Sequence, residues 1–139
     1  MASRAAMKKA ARIVRDGDWG DVVAAWDKDP DWWTSGGCWV AAEAFRLLFG
    51  GDVAVLVNDE PQSQVYRQPE HAGLLVQGVW LDALGARPWQ EAQLEWQAEV
   101  GDLLSLERVT PHWRRKMIQM GFQQPFESQA LAEAIAEKL

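Results

Sequence analysis

The sequence predicts an α+β fold in which a central helix carrying Cys38 packs on a small antiparallel sheet, with further helices outside it. Three patterns carry this. Apolar residues at 41, 44, 45 and 48 form the stripe of a buried helix over 38–49, closed by Gly50-Gly51. The run 53–57, opened by Asp52, is continuously apolar and of strand length. The runs 71–76 and 79–83 flank Gln77-Gly78, a two-residue turn ending in glycine, and so read as a hairpin.

The other elements follow from local signals. Residues 4–15 are rich in helix formers behind Ser3, an N-cap, with Gly17 as a stop. Asp21 can cap a short helix over 22–26 that Pro30 must end. Residues 58–70 are a polar connection containing Pro61 and Pro69, with room for a short strand at Val65-Tyr66. Pro88 begins a helix over 89–100 with Leu94 inside, and 103–109 is a candidate strand. Thr110-Pro111 starts a helix reaching Met120, and Ser128 caps a last helix over 129–139. No repeat or linker divides the 139 residues, so a single domain over 1–139 is expected.

Composition limits the function classes. The formal charge of −6 argues against a general nucleic-acid binder, because the runs Lys8-Lys9 and Arg114-Arg115-Lys116 are short and read as solvated helix faces. With one cysteine no internal disulfide can form, and no apolar run has signal-peptide or membrane-spanning length, so a cytoplasmic location and no membrane partner are expected. One Cys and two His at no ligand spacing make a zinc site improbable, and no cofactor is expected. The nine tryptophans read as large side chains finishing a small core, with a ligand-stacking surface as the alternative.

The chemistry centres on Cys38. If Ser35 caps the central helix, Gly36, Gly37 and Cys38 are its first three residues, and the thiol sits among free backbone N–H groups at the positive end of the helix dipole. That favours the thiolate, while the glycines leave backbone bare for an approaching carbonyl and for an oxyanion hole. The hairpin supplies the partner groups. With Val76 paired to Val79, Gly73 lies opposite Asp82, and His71 and Asp82 become diagonal neighbours on one face. Asp82 can then accept the Nδ1–H of His71 and leave Nε2 to take the proton of Cys38, while Gly73 leaves room for both groups. A one-residue slip in the turn would move Asp82 to the other face. Asn58 is an alternative orienter or oxyanion donor, or only a loop amide, and His112 reads as solvent-facing.

Ser35-Gly36-Gly37-Cys38-Trp39 resembles the cysteine segment of papain-like cysteine hydrolases, and His71 and Asp82 follow in the order of that superfamily. The stretch 33–97 is also similar to small phage and bacterial proteins with a Gly-Gly-Cys, His, Leu-Asp pattern. The resemblance implies a papain-like domain and a Cys38, His71, Asp82 triad, with Gly36, Gly37, Trp39 and Asn58 as oxyanion or substrate-binding candidates. Papain-type peptidases carry a glutamine six residues before the cysteine, where this chain has Trp32, so the oxyanion donor is left open. The expected function is a thiol hydrolase of a protein or peptide amide or isopeptide bond, a peptidase, protein deamidase or acyl transferase. The alternative is a phage-type binding protein that blocks a host factor through an acidic, tryptophan-bearing surface. The sequence does not decide the oligomeric state.

Overall fold

The computed structural model describes residues 3–17, 37–58, 68–119 and 125–139. The expected helix at 22–26, the strand at 65–66, Ser35, Gly36 and Trp19, Trp26, Trp32 and Trp33 lie outside these residues.

Among the described residues ten elements follow in chain order: α1 Arg4–Arg15, α2 Cys38–Phe49, β1 Asp52–Asn58, β2 Gln68–Val76, β3 Val79–Asp82, β4 Gly85–Pro88, α3 Trp89–Val100, β5 Leu104–Arg108, α4 Pro111–Gln119 and α5 Pro125–Lys138. The strands form one antiparallel sheet in the order β4-β3-β2-β1-β5. The fold is therefore mixed α+β, as expected.

Two apolar clusters, one on each side of the sheet, make three layers. On one side Val53, Val55, Ala72, Leu74 and Leu81 meet Val14 of α1, Phe45 of α2 and Leu131 and Ile135 of α5. On the other, Ala54, Leu56 and Trp80 meet Ala92 of α3, with Trp89 and Trp96 packed against them. The alternation of a strand forces this division, since successive side chains leave by opposite faces. The uninterrupted apolar run of β1 fits a strand covered on both sides.

Local signals set most boundaries. The Ser3 side chain accepts from Ala6 N at 3.0 Å and starts α1. At the hairpin, Val76 pairs with Val79 and Leu74 with Leu81, the expected register. Gln77 and Gly78 both take positive φ, 50° and 80°, the mirror-image turn whose twist suits two adjacent strands.

Four expectations are corrected. Leu94 is 64% exposed, and Ala92 with the flanking indoles makes the contact of α3 with the sheet. Residues 85–88, read as no element, pair with β3, because Asp82 ends that strand in a tight turn by accepting the N–H of Leu84 at 2.9 Å. The last helix starts at Pro125, a residue suited to a first turn, and the Ser128 hydroxyl instead donates to the Val40 carbonyl at 3.1 Å. The central helix begins at Cys38 with Gly37 as its N-cap, so Gly37 stands before the first turn rather than within it.

Two bonds fix the Cys38 helix from outside. One is that Ser128 contact. The other is Glu43, buried on α2, which accepts from Arg46 and from Arg114 of α4, each at 2.7 Å. A buried carboxylate is costly unless paired, and two guanidinium partners satisfy it while tying α4 to α2. Among the described residues no helix is long and apolar enough to cross a membrane.

Candidate functional site

The pairing of β2 with β3 ends at Leu74 and Leu81, while β2 continues along β1 to Gln68. Next to that break the register of β2 on β1 shifts between Leu56 and Val57, the mark of a bulge. His71 pairs with Leu56 beside this shift, and Asp82 sits opposite Gly85 at the β3–β4 turn. The two side chains meet: His71 Nε2 lies 2.9 Å from Asp82 Oδ2, with both residues buried.

Asp82 accepts from several directions. Oδ1 takes the Leu84 N–H at 2.9 Å and Arg87 Nη1 at 2.8 Å. Oδ2 takes Trp80 Nε1 at 2.9 Å, His71 at 2.9 Å and Arg87 Nη2 at 3.3 Å. Burial alone would raise its pKa, but the hydrogen bond and charge of His71, and then those of Arg87, hold the carboxyl well below the usual range. Asp82 is therefore an anion that only accepts, and His71 Nε2 carries the hydrogen between them.

The other ring nitrogen, Nδ1, has no hydrogen-bond partner among the described residues. Nε2 is committed to Asp82, so this is the side left for Cys38. Cys38 lies close enough to influence the ring. Burial would lower the His71 pKa, yet the bond to Asp82, followed by the hydrogen-bonding and charge influence of Cys38, raises it from 6.5 to about 9. The stability contributed by the protonated ring is fully present below about pH 6.5 and is lost as pH rises through about 9. That from ionised Asp82 is present above the ordinary carboxylate range and is lost as pH falls through the depressed value.

This reverses the roles expected for the ring nitrogens. A diagonal neighbour on the next strand stands several ångströms off, and only Nε2, the far atom of the imidazole, reaches it. Cys38, at the start of α2, lies near enough to raise the pKa of the ring. The sequence also placed Gly73 as open room, whereas the Trp80 indole fills that space: a Cβ added at 73 would lie 2.3 Å from Trp80 Cε2. Trp80 is thereby laid beside Asp82, and its ring is tilted at 40° to that of His71 with centroids 6.0 Å apart.

Trp96 of α3 stacks on His71 with centroids 4.0 Å apart and 18° between planes. An indole face so placed favours a charged imidazole and covers it from water. Arg87 continues the network outward by donating from Nε to Glu95 at 2.7 Å. Charges thus alternate along His71, Asp82, Arg87 and Glu95, from the core to the surface.

Cys38 is free, 6% exposed, and the first residue of α2, where the backbone N–H groups lack intrahelical partners. Trp39, beside Cys38, is 5% exposed and belongs to the main core cluster. Asn58 is buried too, and its amide nitrogen donates to Asp102 at 3.1 Å, tying the end of β1 to the start of the α3–β5 turn. His112 is exposed. No group of three or more His, Cys, Asp or Glu among the described residues is arranged to hold a metal ion.

Trp80, Arg87 and Trp96 were not anticipated. Trp80 had a signal, since period two places it on the face of Asp82. Arg87 pairs with Trp80 across β3 and β4 and needed that strand to be seen. Comparison with known protein families, curated proteins and solved structures finds no significant match to any of them.

Proposed function

We propose that the chain is a cysteine-dependent hydrolase of an amide or isopeptide bond in a protein or peptide, papain-like in the order of its groups, with a protein deamidase as one form of the same chemistry. The observation that carries this is His71, buried with its Nε2 on Asp82 and under the influence of the Cys38 thiol.

In this mechanism the Cys38 proton rests on His71 Nδ1 as a thiolate–imidazolium pair, and Asp82 holds the imidazolium through Nε2–H. The thiolate attacks the substrate carbonyl, forming an S–C bond and an oxyanion within reach of the N–H groups at the start of α2. Collapse breaks the C–N bond as Nδ1–H protonates the leaving amine, or ammonia in a deamidation. Water, deprotonated by Nδ1, then attacks the thioester, and cleavage of the C–S bond releases the acid and restores the thiolate–imidazolium pair. Peptidase, deamidase and transferase differ only in leaving group and acceptor.

The burial of Cys38 favours a second reading, a binding protein in which the same charges only hold the fold. Iodoacetamide labelling of native protein separates the two. The hydrolase reading expects Cys38 to label readily near pH 7 and His71→Ala to slow it by about ten-fold or more, since the imidazolium stabilises the thiolate. A thiol inert in the native protein, or equally reactive in both, refutes the hydrolase.

A further inference from the structure

A cleft of about 530 Å³ opens beside the buried pair, lined by Leu84, Arg87, Glu95, Trp96 and Glu99. Trp96 is a wall shared with the site, because the same indole stacks on His71. The sign of charge that the cleft accepts follows from how its groups are engaged. Arg87 Nη1 donates to Asp82 and to the Gly85 carbonyl, Nη2 donates to Asp82, and Nε donates to Glu95. Four of its five donors are taken and its charge is answered twice, so it offers little to an anion. Glu99, one turn beyond Glu95 on α3, makes no ion pair with a described residue. The cleft therefore presents a carboxylate that no described residue answers, an indole and the half-exposed Leu84 side chain.

That combination suits an ammonium or guanidinium carried on an aliphatic stem. The stem can lie against Leu84, while the cation meets the indole and the Glu99 carboxylate. We propose that the cleft binds a lysine or arginine side chain of a polypeptide. Taken together with the hydrolase reading, on which this part rests, the cleft is the subsite that selects substrates with a cationic residue near the scissile amide.

The test follows the Trp96 indole N–H resonance of the whole chain, assigned with Trp96→Phe, during titration with Nα-acetyl-lysine methylamide and its norleucine analogue. The lysine compound is expected to shift Trp96 saturably, the uncharged analogue not to, and Glu99→Gln to weaken binding about three-fold or more, the scale of a partly exposed ion pair beside an indole. Added salt is expected to weaken it further. A stationary Trp96, an equal response to norleucine, or binding unchanged in both Glu99→Gln and Glu99→Lys overturns the proposal. Lysine binding alongside an inert Cys38 would keep the cationic site and reject only its role in hydrolysis.

Discussion

Asp82→Ala is expected to destabilise the protein by about 3–5 kcal/mol, the usual cost of removing one partner from a buried charge network. The carboxylate accepts from His71, Arg87, Trp80 and the Leu84 backbone, and alanine leaves all of these without it. The His71 ring and the Trp80 indole are fully enclosed, so water cannot replace the lost acceptor there. Asp82→Asn keeps the shape and one acceptor oxygen, and is expected to lose less than alanine while still lowering the His71 pKa. Urea unfolding followed by tryptophan emission measures both variants. A loss below about 1 kcal/mol for alanine, the range of an exposed ion pair, would contradict the network.

Gly73→Ala is expected to cost about 2–3 kcal/mol through overpacking and loss of a buried hydrogen bond. The added methyl would lie 2.3 Å from Trp80 Cε2 and 2.7 Å from Nε1, on an indole with no exposed surface into which to retreat. Moving the indole breaks its bond to Asp82 and frees the carboxylate that orients His71. Gly78, where an added Cβ meets nothing within 4 Å, serves as the control for backbone effects. Its φ of 80° leaves only the smaller strain of a left-handed turn residue. Because the expected cause is a clash, combining Gly73→Ala with Trp80→Leu should recover part of the loss in the same urea assay, and strictly additive losses would refute it.

The parts of this molecule that were legible in its sequence are those set by local periodicity. The helix over 38–49 and the register of the hairpin depend on residues near one another in the chain, and the register alone placed Asp82 on the face of His71. The misplaced features depend on neighbours distant in sequence. Leu94 fits an apolar helix position, but the sheet is met by Ala92 and two indoles. Arg87 had no role assigned from the sequence, and only β4 brings it opposite Trp80. Trp96 reaches His71 only because a second layer crosses the sheet, and no spacing along the chain encodes that crossing. The exchange of the ring nitrogens has a similar origin: strand pairing fixed which residues meet, while the reach of the imidazole decided which atom does.

The most direct measurement is the NMR titration of the His71 imidazole in the native protein and in Cys38→Ala, with the two histidines told apart by His112→Gln. Coupling of sulfur, ring and carboxylate requires a His71 midpoint near 9 that falls once the sulfur is removed. A midpoint at or below 6.5, or one indifferent to Cys38→Ala, would contradict it.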